Sequence, residues 1–134
     1  MIKVLSIIEI AGFPEKHVAK TMKGVMKKLE ENKEIKIIKK KIAKVKKVKE
    51  LWSTFAELEL DFKNFQDLTS FCFDYMPSSV EIVEPQDLNI KQVELSSMLN
   101  DVLAKLHQYQ MFISNINAEN VVLKRKLASI SPSA

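Results

Sequence analysis

The chain has 134 residues, 46% apolar and 28% charged, with a net charge of +4, a balance that supports one domain-sized core and excludes wholesale disorder. A single cysteine, Cys72, excludes an intrachain disulfide. The only two glycines, Gly12 and Gly24, exclude a Walker loop or a Rossmann fingerprint, each of which needs several glycines so that backbone amides can approach phosphates.

Residues 2–10, IKVLSIIEI, are β-branched and almost continuously apolar, which predicts a central strand buried on both faces. The opening dozen residues superficially suggest a signal peptide, but Glu9 interrupts the run and no small-residue cleavage site follows. No uncharged stretch approaches the roughly 18 apolar residues that span a bilayer. The expected location is therefore the cytoplasm, with no membrane partner. Gly12 and Pro14 end the strand, and Pro14 opens a helix at a tolerated first-turn position. Val18, Met22, Val25, Met26 and Leu29 then recur at three- and four-residue steps through about Asn32, giving one amphipathic helix with a lysine face.

A second strand is expected from Glu34 to Ile42, followed by a lysine-dense connection and a third strand from Ser53 to Phe62. In the third, Thr54, Ala56, Leu58, Leu60 and Phe62 alternate with Glu57, Glu59 and Asp61, the pattern of a half-buried strand. Asn64 is an expected N-cap for a helix reaching Met76, with Phe65, Leu68, Phe71, Cys72 and Tyr75 at helical spacing and Pro77 as its stop. A fourth strand runs from Ser79 to Val83. The order βαββαβ predicts a ferredoxin-like α+β fold, with parallel pairing across each helix, a four-stranded antiparallel sheet and both helices on one face.

Beyond Pro85 no glycine or proline occurs until Pro132. Leu95, Leu99, Val102, Leu106, Tyr109, Ile113, Ile116, Asn120, Leu123, Leu127 and Ile130 follow a 4, 3, 4, 3 spacing, which predicts a long amphipathic helix with a coiled-coil seam. With Leu99 at a, Val102, Tyr109, Ile116 and Leu123 fall at d and Asn120 at a, where a lone Asn fixes a parallel two-stranded register. Glu119 at g would face Lys124 at e of a parallel partner. Ser114, Asn115 and Asn117 are weak helix formers, so a helical hairpin is the alternative. Val93, Met98, Leu103, Phe112, Val121 and Val122 widen the stripe, which suggests either docking on the open face of the sheet or more than two helices. The expected division is a head at 1–86, a helical oligomerisation segment at 87–130 and a disordered tail at 131–134. The expected partner is a second copy, as a homodimer or tetramer.

Charge is uneven: residues 1–50 hold 15 Lys against 6 acids, a net +9, while 51–134 hold 6 basic against 11 acidic side chains, a net −5. The run Lys33 to Lys49 has nine lysines and one acid, Glu34. Lys39, Lys40, Lys41, Lys44, Lys46 and Lys47 are therefore candidate nucleic-acid contacts, with Trp52 and Phe55 following as bases would require. Only Arg125 is an arginine, whereas phosphate and base readers favour the guanidinium fork. Glu57, Glu59 and Asp61 could hold a cation, but cross-strand pairing with Lys36 and Lys39 to Lys41 is the favoured expectation. Cys72 lies mid-helix among phenylalanines, where burial raises a thiol's pKa. His17 and His107 read as surface or interface residues. No catalytic, cofactor-binding or metal-ligating residue is expected, so the chain reads as a non-enzymatic oligomeric scaffold. The alternatives are a nucleic-acid-binding protein and a small-molecule-sensing domain whose pocket would use Trp52, Phe55 or Tyr75.

FDYMPSSVEIVEP (Phe73 to Pro85) and NAENVVLKRKL (Asn117 to Leu127) resemble small uncharacterised archaeal proteins of lysine-rich genomes, which implies a ferredoxin-like head with a C-terminal helix and supplies no activity. VEIVEPQDL also resembles the end of the ferredoxin-like C-terminal module of bacterial WYL regulators. The tail resembles leucine-zipper ends without the basic region that reads DNA.

Overall fold

A computed structural model describes residues 1–130; the tail expected at 131–134 lies outside them. The chain order is β1 (Ile2–Gly12), α1 (Glu15–Glu31), β2 (Ile35–Ile42), β3 (Lys46–Val48), β4 (Leu51–Phe62), α2 (Phe65–Tyr75), β5 (Ser79–Glu84) and α3 (Gln92–Ile130). It is an α+β protein that divides into two units, Met1–Asn89 and the segment from Ile90 onward.

In the first unit the sheet runs β2-β4-β1-β5, with the short β3 also paired to β4. There are thus five strands, not the four expected, and the departure lies in the lysine-dense connection, which folds as half of a hairpin. Every pairing is antiparallel. The parallel pairing expected across each helix does not form, because β4 comes between β1 and β2 and β1 comes between β4 and β5.

One face of the sheet is covered. Ile2, Val4 and Ile8 of β1, Ala56, Leu58, Leu60 and Phe62 of β4, and Ile35 of β2 form one core with Met22, Met26 and Leu29 of α1 and Leu68, Phe71 and Tyr75 of α2. Both helices therefore pack on the same side. β1 is central, as its apolar run suggests, but it is not buried on both faces: Leu5 is 43% exposed while Val4 is fully enclosed. The apolar run was misleading because Leu5 and Ile7 look outward from the uncovered face.

The two buried hydroxyls are satisfied. Ser6 Oγ donates to the Ser79 carbonyl at 2.9 Å, and Thr54 Oγ1 donates to the Ala43 carbonyl at 2.7 Å. An orphaned buried hydroxyl would cost about 1–3 kcal/mol, so these bonds fix β5 on β1 and the root of the β3 hairpin on β4. Asn64 caps α2 as expected, its side-chain oxygen accepting from Asp67 N at 2.8 Å. The helix ends on Met76 in the left-handed region at φ 46°, its N–H donating to the Cys72 carbonyl at 3.1 Å.

Candidate interaction surfaces

α3 is one continuous helix of 39 residues, about 58 Å at 1.5 Å per residue, and none of its side chains is buried. It passes through Ser114, Asn115 and Asn117 without a break, so the expected long helix forms and the alternative of a helical hairpin does not. Those residues cost a few tenths of a kcal/mol each relative to alanine, too little to interrupt a helix supported on both sides by strong formers. Along the seam Leu99, Leu106, Ile113, Ile116, Asn120, Leu123 and Leu127 are exposed, while Val102 and Tyr109 are half-exposed. Met111, Phe112, Val121 and Val122, off the strict seam, are exposed as well. His107 lies on the rod's surface, and His17 on the surface of α1.

The lysine run does not form one patch. Residues directly opposed in an antiparallel pair share a face, and β2 carries a register shift between Ile37 and Lys39. On the open face Lys36 stands opposite Asp61, Lys39 opposite Glu59 and Lys41 opposite Glu57. Lys39 Nζ lies 3.9 Å from Glu59, which Lys3 approaches at 3.9 Å from the β1 side; Lys3 also reaches Glu84 at 3.9 Å. Lys40 pairs with Leu58 in the ladder and so takes the helix face, where it bonds Glu30 of α1. The remaining candidates, Lys44, Lys46 and Lys47, lie past β2 on or beside β3. They are exposed, and none has a carboxylate within ion-pair distance among the described residues. Lys49, in the turn at φ 58°, has the same freedom. Sequence reasoning missed this split because a bulge reverses the facing of every residue after it without leaving a compositional mark.

The acidic row Glu57, Glu59 and Asp61 thus stands in register with the lysines expected from the sequence, but only Glu59 closes ion pairs, with Lys3 and Lys39. Among the described residues no group of three or more His, Cys, Asp or Glu side chains is placed to hold a metal ion. A shallow hollow of about 710 Å³ lies over the open face, its floor Leu5 and Ile7 and its walls Lys39, Lys41, Glu57 and Glu59.

Trp52, Phe55 and Tyr75 do not share a pocket. Tyr75 belongs to the core, stacked on Phe71 at 5.3 Å with Lys28 Nζ 5.3 Å from its ring centre. Phe55 is exposed opposite Glu9 on the open face, and Trp52 pairs with Gly12 and Lys47 at one end of β4. Cys72 is half-buried on α2, and desolvation pushes its thiol pKa up, which keeps it protonated and poorly nucleophilic near neutrality. No helix of the described residues is long and apolar enough to cross a membrane.

The sequence profile of the MJ0538 family matches residues 3–132. A curated relative, uncharacterized protein MJ0538 of Methanocaldococcus jannaschii, is 25% identical over 111 residues, covering 81% of this chain and 42% of that protein. The chain therefore spans less than half the length of that relative. No solved structure matches. The resemblance to uncharacterised archaeal proteins is borne out by these matches.

Proposed function

The chain belongs to the MJ0538 family, a family of unknown function, and from that premise we propose that it is a non-enzymatic cytoplasmic scaffold that joins copies of itself through α3. One observation carries this reading: a 39-residue helix presents a long apolar stripe, interrupted on its seam by Asn120, and no residue on it is buried. Isolated helices gain most of their stability from packing an apolar face. A stripe of this length exceeds the apolar patches soluble monomers usually expose, and a second α3 is a surface of matching length and period.

The seam supports a parallel two-stranded pairing, since Asn120 falls at a and Glu119 at g stands in register with Lys124 at e of a partner. Phe112 and Met98 at g, with Leu103 at e, widen the N-terminal half, which suits four helices where assembly goes further. In the head, the finer reading is a ferredoxin-like arrangement with β3 as an inserted arm, supported by the order β2-β4-β1-β5 and by two helices on one face. The scattering of Trp52, Phe55 and Tyr75 weighs against the small-molecule-sensing alternative.

Sedimentation or light scattering across the micromolar range tests the proposal. Association is expected, with helicity rising with concentration, and Ile113→Asp should abolish it while leaving the head folded. A monomer throughout, unaltered by truncation at residue 110, defeats the reading.

A further inference from the structure

We propose that the end of the head built by β3 and its turn into β4 binds single-stranded nucleic acid through the phosphate backbone, with Lys44, Lys46, Lys47 and Lys49 as the contacts. The inference rests on how the structure partitions the lysines. Lys39 and Lys40 are held by Glu59 and Glu30, and Lys36 and Lys41 stand opposite Asp61 and Glu57. Lys39 and Lys40 are thus paired, and Lys36 and Lys41 lie beside the acidic row, so a phosphate approaching any of the four meets a carboxylate. The four lysines after Ala43 face no such competitor among the described residues.

The arm that carries them has a fixed root. Ala43 N donates to the Phe55 carbonyl at 2.9 Å while the Ala43 carbonyl accepts from Thr54 Oγ1 at 2.7 Å, and Lys46, Lys47 and Val48 pair with Ser53, Trp52 and Leu51. Successive strand residues point to opposite faces, so Lys46 and Lys47 flank the arm on both sides, as a strand crossing it needs. Aromatic rings lie at the same end: Trp52 pairs with Lys47 and with Gly12, and Phe13, the next residue after Gly12, is 70% exposed. Lysine charge beside stackable rings is the combination by which single strands are held without base reading.

The surroundings narrow the ligand class. Arginine is absent from the head, so the site lacks the bidentate fork that reads base edges, and binding should be tolerant of sequence. In the middle of the open face Glu57, Glu59 and Asp61 offset the neighbouring lysines, so the uncompensated positive charge is concentrated at the β3 end. Glu50 occupies the turn itself, where a flat anionic membrane would meet it first, whereas a flexible strand can pass along the flanks of the arm.

Fluorescence anisotropy with labelled dT and U oligomers of about 12 nucleotides, within the site size of small single-strand binders, tests this on the full chain. Trp52 is the only tryptophan, so its emission reports on this end alone. The intact chain should bind both oligomers with quenching of Trp52 and steep salt dependence. Replacing Lys44, Lys46, Lys47 and Lys49 together by Gln should weaken binding at low salt about ten-fold or more and flatten the log–log salt slope by about 3, at roughly 0.7 per phosphate on single strands. Lys39→Gln with Lys40→Gln should leave affinity within about two-fold, since those lysines are already paired. Absence of binding at low salt, unchanged affinity in the four-fold variant, a silent Trp52, or capture by phosphatidylserine vesicles without oligomer binding would each overturn the proposal. Equal affinity for a duplex would overturn its single-strand part.

Discussion

Phe62 on β4 and Phe71 on α2 meet with ring centres 5.4 Å apart and planes inclined at 51°, both side chains almost wholly enclosed. The tilted geometry brings one ring's positive edge toward the other's negative face. This contact ties the second helix to the centre of the sheet.

Phe71→Ala should therefore destabilise the head by about 3–5 kcal/mol, the usual cost of a buried aromatic truncated to alanine. Phe71→Leu keeps most of the volume and should cost roughly half as much. Urea titration of a truncation ending at Asn89, or of the full chain with the denaturant slope checked, measures both. A loss below about 1 kcal/mol would place the core elsewhere.

The two ends of α2 make opposite predictions. Asn64→Ala removes the acceptor 2.8 Å from Asp67 N and should cost about 1 kcal/mol, the typical value for a lost N-cap. Met76 holds φ 46° at the C-terminal end, a region that disfavours a Cβ and that glycine adopts without penalty. Met76→Gly should accordingly stabilise the head by up to about 1 kcal/mol and so raise its unfolding midpoint. Thermal melts showing both changes destabilising would mean that Met76 makes a stabilising contact outweighing its backbone strain.

Burial raises the Cys72 thiol above its ordinary value of 9.0, so the folded chain holds that proton more tightly than the unfolded one. The associated stability is complete below about pH 9 and is lost as pH climbs through the raised folded value. Cys72→Ser, with no thiol to ionise, should lessen the alkaline decline in stability and change little at pH 7. Iodoacetamide should modify the native chain at pH 8 far more slowly than the urea-unfolded chain, a clean comparison because Cys72 is the only thiol. Equal rates would show that the thiol is not shielded.

Much of this fold could be read from particular residues. The alternation Thr54, Ala56, Leu58, Leu60, Phe62 marks the covered face of β4, Asn64 marks the start of α2, and the 4, 3 spacing from Leu95 marks α3, because each signal is a period or a capping chemistry written locally. The β3 hairpin was not legible. Its turn places Lys49 at positive φ, where Asn or Gly would have announced it, and its lysines blended into a longer run. The continuity of α3 follows from the same spacing, although Ser114 and Asn117 leave a hairpin open until their small propensity costs are set against the whole rod. The candidate lysines were found by composition, but which of them are free depends on the register shift at Ile37 and Lys39, and so on the pairing with β4.

Asn120 gives the sharpest test of the assembly proposed for α3. At an a position in a parallel pair it meets its own counterpart, and the two amides can bond each other; in an antiparallel or slipped pair each would face leucine or isoleucine and lose that bond. Asn120→Leu should therefore raise the melting temperature of the assembly, because an apolar residue replaces a buried polar one, while weakening the preference for one alignment. The alignment can be read in a Cys72→Ser background carrying Leu127→Cys, where mild oxidation links a parallel pair at residue 127 and leaves an antiparallel pair unlinked. With Asn120 present the linked dimer should dominate; with Leu at that position the linked fraction should fall even as stability rises. Stability and cross-linking that both stay unchanged would remove Asn120 from the seam, and with it the heptad register assigned to α3.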